Sequence, residues 1–382
     1  MNFKKLTAMA VSTAMLMSCT AFAADDDSAV RTITYEEAVS MAIDNTSGIA
    51  TLDESMDYME KSKESVYTSL EGFIPVSGTS YTVEASIGTL LQSIGSLDGS
   101  SKTARYQKEM LEGTTELMIR NYFNTIKTSE QSLELAKESL ALKQQEYNEM
   151  VIKNDLGMVS DNELNTTRNE ITTLQGNVNS AELAIENVYK SLANAMGLNE
   201  NTEFVIDYNI EYTPLQMDIP LENYITQKGA SDPSVLAAKA SLEQAEFNKK
   251  VSTYETEPYS YLEKENAVNQ ASRTYGDTVD ALKTSIQNGY NSIMQLESNQ
   301  TVLEAALDDA ETAYATAQTN YNVGNITSLT LAQAELAVNQ AETNLKSNAS
   351  QHDLLVFQFQ HPYMLSGASS GSSSGQSSSQ AQ

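Results

Sequence analysis

The chain has 382 residues, with 23 Lys plus Arg against 51 Asp plus Glu, a net charge of −28. That balance excludes the basic footprint of a nucleic-acid-binding protein and argues against adhesion to anionic lipid through a basic patch. A single Cys and two His leave no disulfide framework and argue against a Cys/His zinc centre.

Residues 1–23 read as a signal peptide. Lys4 and Lys5 give a positive start, Leu6 to Met17 is a largely apolar run, and Ala21-Phe22-Ala23 is a small-x-small cleavage site. In a competing reading, Leu16-Met17-Ser18-Cys19 is a bacterial lipobox and Cys19 becomes a lipidated N-terminus. Met17 is unusual in that motif, and cleavage after Ala23 is favoured. It would leave a mature chain without cysteine. No other stretch is long and apolar enough for a transmembrane helix.

An internal repeat organises the rest of the chain. Ile119, Ile126, Leu133, Leu140 and Tyr147 recur every seven residues. At an offset of 167 positions their counterparts are Ile286, Ile293, Gln300, Leu307 and Tyr314. Gly157 matches Gly324. The openings match at an offset of 186, Ile33-Thr-Tyr-Glu36 with Ile219-Pro-Leu-Glu222. The first repeat, 24–205, therefore carries 19 extra residues, which fall in an insert around 72–101. The second repeat is 206–362.

Each repeat predicts the same elements. A short helix (34–44, 220–229) precedes a second helix (48–70, 234–254), a non-helical insert, and a long helix (102–155, 262–322). The only prolines are Pro75, Pro214, Pro220, Pro233, Pro258 and Pro362, so both long windows are free of helix breakers. A glycine turn closes each long helix: Gly157-Met158-Val159-Ser160, and Gly324-Asn325-Ile326-Thr327. Glycine suits the left-handed cap, and Ser160 or Thr327 can cap the returning helix (161–197, 328–360). Seven-residue spacing implies coiled-coil packing. The second core position is mixed (Tyr122, Ser129, Ala136, Lys143, Met150), which suggests close antiparallel packing within a larger helical wall. From Ser366 the chain is Ser/Gly/Gln low complexity, and 363–382 is expected to be a disordered tail.

These features resemble the TolC-type outer-membrane efflux family over 30–362. The resemblance rests on the opening Ile33-to-Ala42 (ITYEEAVSMA), the duplicated long hairpins, and Tyr321-Asn-Val-Gly324 running on to Ala334. Ala332 stands where leucine is usual. The resemblance implies an all-α-dominated fold of long helical hairpins, and a homotrimer whose twelve helices form a tapering tunnel. It also implies helical tips that dock a periplasmic adaptor driven by an inner-membrane pump, four strands per protomer in an outer-membrane barrel, and no chemistry on the cargo. Gly157 to Ser160 and Gly324 to Thr327 are then the adaptor-docking tips. The tunnel entrance falls on Glu163 and Thr166 in the first half, and on Thr330 and Gln333 where relatives place aspartates.

The barrel is where this chain departs from that pattern. Residues 73–97 allow one hairpin at most, with Tyr81, Val83, Ala85 and Ile87 alternating and Gly78, Gly88 and Gly95 available for turns. The second insert, 255–261, has no room for two strands of about 9–11 residues. A trimer would supply at most six strands, so the tunnel is expected without a complete barrel. A non-transporting extracytoplasmic coiled-coil scaffold is the alternative function. Glu134, Glu138, Glu146 and Glu149 read as a solvated face. His352 and His361 lack the partners of a metal site, and no catalytic constellation or cofactor motif is visible.

Overall fold

The computed structural model describes residues 31–72, 81–252 and 260–368. In chain order these form β1 (Arg31–Thr34), α1 (Tyr35–Asn45), α2 (Ser47–Glu71), α3 (Tyr81–Asp155) and α4 (Asp161–Ala195). There follow β2 (Phe204–Asp207), α5 (Leu221–Ser231), α6 (Pro233–Val251), α7 (Ser260–Asn322), α8 (Ser328–Gln360) and α9 (Tyr363–Ala368). At 1.5 Å per residue, α3 is about 110 Å long and α7 about 95 Å.

Two long spines, α3 and α7, run through the whole molecule. In one half the packing order is α4, α3, α8, α7; in the other it is α2, α3, α6, α7. The result is a ribbon one helix thick. Local sequence starts the helices. Thr34 caps α1 by accepting from the Glu37 N–H (3.3 Å), and Asp232 caps α6 by accepting from the Ser234 N–H (2.9 Å). Pro233 takes the first position of α6, where its missing N–H costs nothing.

The heptad positions form the core where the two halves of the ribbon meet. Ile119 and Ile126 are fully buried with Phe123, Ile33, Leu192 and Ile206 in one cluster. Their counterparts Ile286 and Ile293 are fully buried with Val235, Leu282 and Phe359 in a second. Each such side chain contributes about 1.5–3 kcal/mol by leaving water. The residue that completes the first stripe is Phe123, four positions after Ile119. Tyr122, the expected second core position, is only partly buried against that cluster. Gln300, the polar heptad member, is buried and receives the Asn348 side-chain amide (2.8 Å).

Several expectations from the sequence do not hold. Residues 81–97 are not a β-hairpin but the first turns of α3; 73–80 lie outside the described residues. The alternation Tyr81-Val83-Ala85-Ile87 covers only four positions, whereas Ile87, Leu91 and Ile94 continue at helical spacing. Glycines reinforce the helical outcome by admitting a neighbour. A methyl group at Gly99 would lie 2.8 Å from Gln244 Cβ, and one at Gly95 would overlap the Phe247 ring, so α6 rests on α3 at these two positions. The extra length of the first repeat is therefore mostly helix: α3 has 75 residues against 63 in α7, and α2 has 25 against 19 in α6.

The strands that do form were not anticipated. β1 and β2 pair in parallel, Ile33 opposite Ile206, and bring the start of the first repeat to its end. The supposed tail also begins as structure: α9 covers Tyr363–Ala368, Met364 is buried, and the Tyr363 N–H donates to Asp232 (3.1 Å). The remainder of the tail lies outside the described residues.

Candidate functional site

The two helical apices are built alike. At the first, Gly157 adopts φ 73°, its N–H donates to the Asn154 carbonyl (2.8 Å), and the Met158 N–H donates to the Lys153 carbonyl (2.8 Å). At the second, Gly324 adopts φ 78°, its N–H donates to the Tyr321 carbonyl (2.9 Å), and the Asn325 N–H to the Asn320 carbonyl (2.8 Å). This pair of bonds is a Schellman closure, which satisfies the last carbonyls of a helix and needs a left-handed residue at its fifth position. Nothing lies within 4 Å of where a Cβ would sit at either glycine. Backbone conformation, not space, selects glycine here.

The next residues start the returning helices. The Ser160 hydroxyl accepts from the Glu163 N–H (3.3 Å), and the Glu163 carboxylate accepts from the Ser160 N–H (2.9 Å) and hydroxyl (2.9 Å). That is a complete capping box. The Ser160 N–H, followed by its hydroxyl, holds the Glu163 carboxyl below its ordinary range. At the second apex the Thr327 hydroxyl accepts from the Thr330 N–H (3.2 Å), and the two hydroxyls lie 3.1 Å apart. Glu163 and Thr330 thus both occupy the third position of their helices, held by the capping residues Ser160 and Thr327. Thr166 and Gln333, further along α4 and α8, are exposed.

Val159 and Ile326 are partly buried beneath the turns, while Met158 and Asn325 are exposed. The structure adds two residues to the apices. Leu156 is 70% exposed and Val323 65%, beside Met158 at 72%. They directly precede the glycines, and this position relative to a Schellman glycine was the signal that could have found them. The apices stand near each other: the Gln145 side-chain amide donates to the Ser328 hydroxyl (3.2 Å), so the second lies alongside the last turns of α3. Cys19 lies outside the described residues.

Behind the apices the hairpins are tied by polar contacts at mixed core positions. Lys143 pairs with Glu146 (2.7 Å) on its own helix and with Glu170 (3.1 Å) on α4. Arg168 donates to the Tyr147 hydroxyl (2.8 Å). Glu138, read as part of a solvated face, instead accepts from the Asn339 amide across to α8 (2.6 Å).

The two repeats are locked together at Asp353. Its carboxylate accepts from Arg120 (2.7 Å), Asn124 (3.0 Å) and the Tyr208 hydroxyl (3.4 Å). The Arg120 guanidinium also lies 4.7 Å from the Phe357 ring centre and 5.2 Å from that of Tyr35. Burial, opposed by the hydrogen bond from Arg120, pushes the Tyr35 hydroxyl up to about 12. His352, next in sequence, is buried with its Nε2 3.2 Å from Glu297 and its ring 4.9 Å from that of Tyr212.

Among solved structures the chain is similar to the CmeC outer membrane channel of Campylobacter jejuni, at 13% identity and TM-score 0.65, covering 87% of this chain and 86% of that one. It is similar to the outer membrane protein VceC of Vibrio cholerae at 12% identity and TM-score 0.64, covering 86% and 96%. It also resembles the open MtrE outer membrane channel of Neisseria gonorrhoeae at 12% identity and TM-score 0.57, covering 86% and 88%. Neither protein-family models nor curated protein sequences give a match. The chain therefore has the TolC-type channel fold, as its sequence resemblance implied.

Proposed function

We propose that the protein is an exported, trimeric helical conduit of the cell envelope, whose apices dock an adaptor coupled to a membrane pump. One observation carries the reading. Among the described residues the ribbon has two long edges with no helix packed on them, and a ribbon one helix thick does not by itself enclose a channel. On one edge α4 packs against α3 and leaves Leu183 60% exposed; on the other α7 leaves Val302 63% exposed. Pairing α4 of one copy with α7 of the next closes such ribbons into a ring. The fold shared with outer membrane channels supports the same assembly.

In this reading Gly157, Met158, Val159, Ser160, Gly324, Asn325, Ile326 and Thr327 form the two docking tips, where the exposed Leu156, Met158 and Val323 offer apolar side chains to the adaptor. Glu163, Thr166, Thr330 and Gln333 rim the tunnel entrance. The second apex supplies no carboxylate among its two rim residues, so no cation site is assigned to the entrance. The cargo passes without chemical change.

The test is a Gly324→Arg substitution in cells that carry the adaptor and pump. Efflux and co-purification with the adaptor should both be lost while the helical signal of the purified protein is retained. Survival of both in a folded variant would remove the apex from the docking site.

A further inference from the structure

The two apices mark one end of the ribbon. At the other end α2 turns into α3, and α6 turns into α7. Nine residues separate Glu71 from Tyr81, and eight separate Val251 from Ser260. Among the described elements, these are the two places at that end where one helix gives way to the next.

We infer that this end is a helical mouth that stops short of crossing a bilayer, so that passage through an outer membrane needs a different polypeptide. Reach decides the matter. A chain extends at most about 3.5 Å per residue, so nine residues going out and returning reach only about 15 Å. The apolar band of a membrane-spanning barrel is about 25 Å tall, and each strand needs about 9–11 residues. Neither linking segment is long enough for even one out-and-back pair of membrane-spanning strands. The helices do not supply the crossing either. Among the described residues none is long and apolar enough to span a membrane.

The flanking helices are instead made for water and for each other. At the last turns of α6 and the first of α7, Lys249 pairs with Glu265 (3.0 Å) and lies 5.0 Å from the Tyr261 ring centre. Lower on the same end, Lys63 and Lys102 both reach Asp98, at 3.8 and 3.0 Å, and Lys102 also reaches Glu243 on α6 (3.6 Å). These ion pairs join α2 to α3, α3 to α6 and α6 to α7, with side chains 21–50% exposed to water. Charged side chains that keep this contact with water do not suit a hydrocarbon environment. A scaffold built from the same ribbon would stop short of the bilayer in the same way, whether or not it conducts cargo.

The experiment uses the mature chain, residues 24–382, purified without detergent. It is added to dye-loaded vesicles of phosphatidylethanolamine and phosphatidylglycerol and to planar bilayers of the same lipids. The expected result is no dye release and no stepwise conductance. In parallel, a Ser69→Cys variant, exposed in the last turn of α2, is treated with a membrane-impermeant maleimide. The introduced thiol should react equally fast with and without vesicles. Stepwise conductance, or protection of the thiol by vesicles, would overturn the inference. Subunit stoichiometry, read separately by light scattering, reports on the conduit reading, so the two can fail independently.

Discussion

Gly157 and Gly324 hold φ values of 73° and 78° in open space. An alanine there meets no neighbour, so its cost is the left-handed backbone alone, about 1–2 kcal/mol. Gly157→Ala and Gly324→Ala should each lower unfolding stability in urea by about that amount, and asparagine should cost less because it tolerates the left-handed region. Equal stability of wild type and both alanine variants would contradict the Schellman assignment. Glu163 makes a second residue-scale prediction. Its folded-state pKa is depressed below the ordinary 4.5 by the Ser160 N–H and hydroxyl. Its contribution is therefore fully present above the unfolded-state value and lost as pH falls through the lower folded value. Amide protection at the start of α4 should decline in that acidic window in wild type, and the decline should vanish in Glu163→Gln. An unchanged acid response in the variant would sink the assignment.

Among the elements, the junction of α3 and α8 is the most consequential. Asp353 gathers Arg120 and Asn124 from the first repeat, with Tyr208 just beyond it, onto a helix of the second. Arg120 and Asp353 are 22% and 21% exposed; burial disfavours the Arg120 cation, and the Asp353 carboxylate together with the Tyr35 and Tyr208 hydroxyls outweighs it. Asp353→Ala would leave that cation half-buried without its carboxylate. The expected loss is about 2–3 kcal/mol, below the 3–5 of a wholly buried pair, measured as a shift in urea midpoint. Adding Arg120→Met should recover part of it. A loss no larger than that of a surface pair would remove Asp353 from its role as the tie between repeats. Where α6 lies on α3, Gly99→Leu should prise the two helices apart and lower stability, because Gln244 Cβ occupies the approach.

The same elements show what the sequence could and could not disclose. The seven-residue spacing of Ile119 and Ile126, and of Ile286 and Ile293, marked the core because burial on a helix face is a local periodic property. The glycine turns were legible because a left-handed cap restricts residue type. The Asp353 tie was not, since Arg120 and Asp353 are joined only by folding and neither sits in a recognisable motif. Residues 81–97 misled for a different reason. A short run satisfies both a period of two and a period of 3.6, and packing against Phe247 and Gln244 on α6 decides between them. Strands β1 and β2 were missed because they are four residues each, too short for alternation to register.

At the scale of the whole molecule, the ribbon is a shape that one copy cannot complete. Its core is two clusters, one in each repeat, and its long edges on α4 and α7 leave Leu183 and Val302 exposed. A charge at either residue should disfavour assembly without unfolding the protomer, so Leu183→Lys and Val302→Asp are expected to shift the population toward monomer at unchanged helical content. Closure of the ribbon into a ring is also the claim on which the conduit rests, and a single number tests it. That number is the molar mass of the mature protein, residues 24–382, by light scattering after gel filtration without detergent. The account predicts three times the protomer mass, stable on dilution. A monomer or dimer at micromolar concentration would contradict it and favour a scaffold that shares the fold without enclosing a channel.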